Sequence, residues 1–218
     1  MKIIAFGDVH MNLGIFRNIP GIETADLVII TGDITHFGHQ EQAASILGAV
    51  RERNPNILAL AGNLDHQDVD AHLSTHGINL HGRGVLLEEI GLFGVGGANP
   101  TPFNTPLEYQ EEHIAEILET GFAEVRQAKC QIMVTHAPPL NTKTDRIKAG
   151  VHVGSKAVRS CIQQHQPDLC LTGHIHESRG EDVIGRTRIF NPGMIQEGCW
   201  IEITHTPEEL SAQIKKAH

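Results

Sequence analysis

Lys2-Ile3-Ile4-Ala5-Phe6-Gly7-Asp8-Val9-His10 opens the chain with an apolar run that stops at a glycine, a carboxylate and an imidazole. A short Ile- and Phe-bearing run bounded by glycine reads as a buried strand. The same cadence recurs along the sequence. Leu27 to Thr31 runs into Gly32-Asp33, Ile57 to Ala61 into Gly62-Asn63-Leu64-Asp65, and Ile132 to Thr135 into His136; Gly173-His174-Ile175-His176 completes the series. Ligands of open α/β sheets bind at the carboxyl ends of strands, so five such ends converge on one crevice.

The segments between these strands carry helical spacing. Gln40 to Arg53 places Ala43, Ala44, Leu47 and Val50 on one face before Pro55,. Pro106 to about Gln127 reads as a second helix, capped by Thr105, with Ile114, Ile117, Leu118 and Phe122 as its stripe,. Ser155 to Gln166 is a third, ended before Pro167. Val85 to Ile90 and Leu92 to Val95 read as a hairpin turning at Gly91. A second hairpin turns at Gly185-Arg186, from Val183-Ile184 into Thr187 to Phe190. The alternation of Leu210, Ala212 and Ile214 favours a strand, and Lys215-Lys216 reads as a solvated tail. The expectation is one α/β domain over residues 1–218, with parallel βαβ units first and antiparallel pairing later.

Composition narrows the function classes. The 26 acidic and 17 basic residues give a formal charge of -9 over 218 residues. Binding to nucleic-acid polymers or anionic membranes rests on Lys and Arg, so neither partner is expected. No apolar stretch approaches the ~18 residues of a membrane span, and the N-terminal one is too short for a signal peptide. Cys130, Cys161, Cys170 and Cys199 form no C-x-x-C pair and lie in apolar segments, as expected of reduced thiols in a cytoplasmic protein,. Histidine is the surplus residue, with 15 copies against seven Phe, one Tyr and one Trp.

That surplus fits metal binding. Residues i and i+2 of an extended segment point the same way, so Asp8 and His10 can share an ion, and His174 and His176 can face the crevice together. Asp33 has two oxygens and can bridge two cations, and Asn63 offers a neutral one. Mixed N/O ligation without thiolate points to Mn, Fe, Zn, Co or Ni rather than to Ca or Mg alone. Two carboxylates against two divalent ions leave a positive centre suited to a phosphate.

The ordered set D-x-H, GD, GN-x-D, H and GH-x-H, spanning residues 8 to 176, resembles the calcineurin-like metallophosphoesterase superfamily. Gly32-Asp33-Ile34-Thr35-His36-Phe37-Gly38, His136-Ala137-Pro138-Pro139 and Gly173-His174-Ile175-His176-Glu177-Ser178-Arg179-Gly180 are similar to its prokaryotic branch related to cyclic-nucleotide phosphodiesterases. The resemblance implies a four-layer α/β/β/α sandwich, two mixed sheets flanked by helices, around two divalent metal ions, with Mn preferred. Asp8, His10, Asp33 and His176 would hold one ion, and Asp33, Asn63, His136 and His174 the other. The implied reaction is phosphoester hydrolysis by metal-bound hydroxide, with Asp33, Asn63 and His136 in the catalytic centre and a small phosphate ester as substrate. Many members carry a proton-donating His where this chain has Leu64, which favours diesters. A phosphomonoesterase is the alternative, and a non-catalytic protein-binding scaffold a more distant one.

His66 is a candidate replacement for that acid, or simply the start of a helix after an Asp65 cap. His36, and less so His39, are candidates for substrate contact on the loop after Asp33. Asn99, Thr101 and Phe103 are further candidates on the long loop that follows. Gly94 to Asn99 reads as a tight turn rather than a dinucleotide loop. His152-Val153-Gly154-Ser155 precedes a helix and offers either an anion site or a cap. Glu177 and Arg179 flank the last ligand motif as supporting groups.

Overall fold

The computed structural model describes residues 1–12 and 16–217. β1 (Lys2–Phe6), β2 (Leu27–Ile30) and β3 (Ile57–Ala59) run parallel, and β10 (Cys199–His205) and β11 (Leu210–Lys216) extend the same sheet antiparallel, in the order β11-β10-β1-β2-β3. A second sheet has the order β4-β5-β6-β7-β9-β8. It contains β4 (Gly84–Leu87), β5 (Ile90–Val95), β6 (Cys130–Thr135), β7 (Leu169–Leu171), β8 (Gly180–Ile184) and β9 (Thr187–Asn191). Its centre is parallel, and β4 and β8 pair antiparallel at the edges. Both sheets are therefore mixed.

The period-2 alternation of the strands sorts their side chains into layers. Ile3 and Ala5 of β1, Ile132 and Val134 of β6, and Leu92 of β5 join one buried cluster that fills the space between the sheets. The intervening Ile4 and Phe6 pack with Ile46, Leu47 and Val50 of α1 (Gln40–Arg51) and with Val69 and Leu73 of α2 (Gln67–Thr75). On the far side, Phe93 and Met133 pack with Ile114, Ile117 and Leu118 of α3 (Glu111–Val125) and with Val158 and Ile162 of α4 (Lys156–His165). The result is the expected α/β/β/α sandwich. No helix of the described residues is long and apolar enough to cross a membrane.

Three local expectations are corrected. The first hairpin turns at Glu88-Glu89, because Leu87 pairs with Ile90. Gly91 lies inside β5, where a Cβ would come within 2.6 Å of the Val125 Cβ; it lets α3 approach the sheet,. Helix α3 starts at Glu111 and not at Pro106. Residues before it are drawn into extended pairing, with the Leu107 amide on the Asn63 carbonyl and the Tyr109 amide on the Ala98 carbonyl. Lys215 and Lys216 end β11 opposite Trp200 and Cys199 instead of forming a free tail. The second hairpin and the strand through Leu210, Ala212 and Ile214 form as expected. All four cysteines are free, and all but Cys130 are buried.

Candidate metal centre

Each strand end delivers its polar residues to one crevice between the two sheets. Asp8 and His10 follow β1, Asp33 follows β2, Asn63 follows β3, His136 follows β6, and His174 and His176 follow β7. Asp8, His10, Asp33 and His174 all have left-handed backbone, with φ of 52°, 45°, 48° and 65°. Such conformations cost energy in non-glycine residues and cluster where side chains are aimed for function. The flanking glycines permit the crowding. A Cβ on Gly62 would stand 2.1 Å from Asp33 Oδ1, and one on Gly32 would stand 2.4 Å from His136 Nδ1.

Two groups of donor atoms share Asp33. In the first, His176 Nε2 lies 2.9 Å from Asp8 Oδ1 and 3.1 Å from His10 Nε2. His10 Nε2 lies 3.9 Å from Asp33 Oδ2. One atom from each of Asp8, His10, Asp33 and His176 falls within 4.8 Å of the others. In the second group, His136 Nε2 is 3.0 Å from Asn63 Oδ1 and 3.4 Å from Asp33 Oδ1, and its ring lies 5.2 Å from that of His174. Glu119, Cys161 and His165 also lie close together, but His165 is already bonded to Glu119 and stacked on Phe122.

The surroundings orient these side chains. His136 Nδ1 faces the Thr31 carbonyl at 3.0 Å, which leaves Nε2 turned inward,. The Asn63 amide donates to Thr105 Oγ1, so its oxygen faces His136. The Leu64 amide donates to Asp33 Oδ1 at 2.8 Å, and the His174 amide reaches Asp8 at 3.2 Å.

Electrostatics follow from this packing. Burial favours a neutral Asp33, but the charge and hydrogen bond of His136, with His10 and the Leu64 amide, outweigh it and pull the carboxyl down to about 2. Burial alone would lower His136, yet Asp33 raises it to about 9. His10 is lowered mainly by burial, and His174 falls to about 4 through burial and the nearby His136. His176 is raised, because its bond to Asp8 and that residue's charge overcome burial. Two opposed imidazole nitrogens and two buried carboxylates form a donor set that a cation satisfies better than a single proton can. The residues fit divalent metal ions.

Asp65 is the important residue whose role the sequence concealed. His66, and not Asp65, stands at the N-cap position of α2, with no side-chain bond to the helix. The buried Asp65 carboxylate instead accepts the amides of Ile34, Thr35 and Gly62 and the Thr35 hydroxyl. It thereby ties the Asp33 loop to the Asn63 loop. Burial and then Asp33 raise its pKa to about 6. Asp65→Asn puts an amide N–H₂ against amide donors and is expected to weaken metal binding roughly 10–100-fold, as loss of such supporting groups does. Metal titration of the purified variant checks this.

The secondary candidates separate. Asn99, Thr101 and Phe103 line a cavity of about 750 Å³ together with Asp33, Asn63, Leu64, His174 and His176. His36 is exposed, its ring 5.5 Å from that of His10. His66 is not among the described residues lining that cavity; its ring stacks on His39 at 4.1 Å, and His39 in turn bonds Asp68. His152 to Ser155 offers no anion site, because the helix terminus is already filled. Glu111 accepts the amides of Lys156 and Ala157 and the Ser155 hydroxyl, while Asp145 takes the Gly154 amide and His152. Ser155 does cap α4 through the Val158 amide. Glu177 and Arg179 line a second cavity of about 580 Å³ that shares Ile147, His174, Ile175, His176 and Glu177 with the first.

Comparison with known proteins agrees with this geometry. The protein MJ1162 of Methanocaldococcus jannaschii, itself uncharacterized, is 36% identical over 200 residues, covering 88% of each chain. The crystal structure of TT1561 from Thermus thermophilus superposes with a TM-score of 0.72 at 18% identity, over 97% of both chains. A dimetal phosphatase from Danio rerio gives a TM-score of 0.64 at 9% identity, over 100% of this chain and 96% of its own; these two likenesses concern the fold. The sequence pattern of the family described as calcineurin-like phosphoesterase matches residues 1–178, and the chain belongs to that family.

Proposed function

We propose that the protein is a dinuclear metal-dependent phosphoesterase that hydrolyses a small phosphodiester. The carrying observation is the position of Asp33, whose Oδ1 faces His136 at 3.4 Å while Oδ2 faces His10 at 3.9 Å. One carboxylate thus stands between two donor groups. Asp8, His10 and His176 would complete one metal site, and Asn63, His136 and His174 the other. Such ions, with Mn the metal favoured, would supply Lewis acidity towards the phosphoryl group and a lowered pKa for water. The chain's own groups set the geometry. Thr31 fixes the His136 tautomer, Thr105 turns the Asn63 oxygen inward, and Leu64 holds Asp33 through its backbone while placing no acid beside it.

Two cavities meeting at His174 to Glu177 support a diester over a monoester, since each substituent on phosphorus then has a place to lie. The Mn-loaded protein is expected to hydrolyse bis(4-nitrophenyl) phosphate with kcat/KM at least about tenfold above that for 4-nitrophenyl phosphate. The reverse order indicates a monoesterase. Activity on neither, with metal bound, indicates a scaffold.

A further inference from the structure

The larger cavity has an apolar arm that the metal chemistry does not use. Phe37, Leu64, Pro100, Phe103, Leu140 and Val153 all line it. Phe37 is 52% and Phe103 82% exposed, unusual for phenyl rings that line a polar centre,. Neither is exposed through slack. The Phe37 amide is bonded to the Leu64 carbonyl at 3.0 Å, and Phe37 holds a left-handed φ of 57°, which is costly for a bulky residue,. Phe103 sits on a loop wound around the Glu108 carboxylate, which accepts the Thr101 and Thr105 hydroxyls and the Thr105 amide. The Phe103 amide in turn donates to Thr101 Oγ1. The backbone that carries each ring is thus held at the wall of the cavity.

The apolar side chains of this arm carry no proton donor, although Lys156, His174, His176 and Glu177 line the same cavity. The Thr101 and Thr105 hydroxyls are committed to Glu108, and Glu111 is an acceptor for the start of α4. Leu64, next to Asn63, carries no acidic hydrogen, and Lys156 is exposed to solvent. A group that departs against these apolar side chains receives no proton from them, which favours one that is stable as its anion. A phenol ionises near pH ~10, as tyrosine does, whereas the other extreme, water, has a pKa of ~15.7. Apolar rings and missing acid point to the same chemistry.

We propose that this arm binds an aromatic leaving group, so that the substrate is an aryl phosphoester. This rests on the phosphoesterase reading above. In the step, water adds to phosphorus and the phosphorus–oxygen bond to the ring breaks. The aryloxide takes the bonding electron pair, and the proton released by the water and the one later gained by the aryloxide both exchange with solvent.

The test is binding, which needs no turnover. Methyl-, cyclohexyl- and phenylphosphonate are titrated calorimetrically into the Mn-loaded protein. Phenylphosphonate is expected to bind at least about tenfold tighter than methylphosphonate. Phe103→Ala is expected to cost roughly fivefold for the phenyl ligand only, with little effect on folding because the ring is already exposed. Equal affinity for cyclohexyl and phenyl, or no effect of Phe103→Ala, overturns the aromatic assignment and leaves the phosphoesterase standing if diesters are still hydrolysed. Failure of all three ligands to bind overturns the aromatic assignment, and the phosphoesterase reading falls with it only if diesters are not hydrolysed either.

Discussion

Asp33→Asn is expected to lower kcat by roughly 10³-fold or more on any phosphoester substrate, with the fold intact. The substitution is nearly isosteric, and its remaining oxygen can still accept the Leu64 amide that now bonds Oδ1. What it removes is the charge shared by the two donor groups. Two consequences follow together. Metal content is expected to fall below two ions per chain, since an amide bridges cations poorly. Asp65, raised partly by the charge on Asp33, is relieved, so the apo variant is not expected to melt far below the apo parent. Metal analysis, kinetics and a thermal melt on one preparation separate these effects. Full activity with two bound ions would remove Asp33 from the centre.

Metal loading is expected to raise the melting temperature by about 5–11 °C per ion at a free concentration near 100 Kd. The figure combines a linkage gain of ~2.7 kcal/mol with a shift of roughly 2–4 °C per kcal/mol for a chain of this size. The physical source is the burial of Asp8 and Asp33, both nearly inaccessible to solvent. Carboxylates withdrawn from water are costly unless countercharged. The gain is also pH-dependent. Asp33 holds His136 at about 9 in the metal-free chain, so a cation must displace the Nε2 proton. Binding therefore releases protons near pH 7 and tightens as pH rises toward 9. A melt unchanged by Mn and by chelator would contradict the buried-centre account.

The strand ends are legible because their chemistry is local. An apolar run, a glycine and a metal-ligating residue lie within a few positions of one another, as in Phe6-Gly7-Asp8 and Ile30-Thr31-Gly32-Asp33. The period-2 strands and the Gly185 turn are readable for the same reason. The misreadings all have distant partners. Pro106 looks like a helix start, but pairing with Asn63 and Ala98 keeps that stretch extended. Gly91 looks like a turn until Val125 and Ala128 are brought against it. The segment from His152 to Ser155, open to an anion site or a cap, is decided for the cap only by Glu111, more than forty residues earlier. Asp65 resembles a cap, and its work of joining two loops shows only when Ile34 and Thr35 are beside it. Asn99, Thr101 and Phe103 stand out by their loop position, whereas the backbone that fixes Phe37 against Leu64 has no local signal.

Anomalous diffraction from crystals grown with Mn is the most direct test of the central claim. Two peaks about 3.5–4 Å apart are expected. One is held by Asp8, His10 and His176, the other by Asn63, His136 and His174, with an Asp33 oxygen on each. A single peak, or two peaks that do not share Asp33, would contradict it.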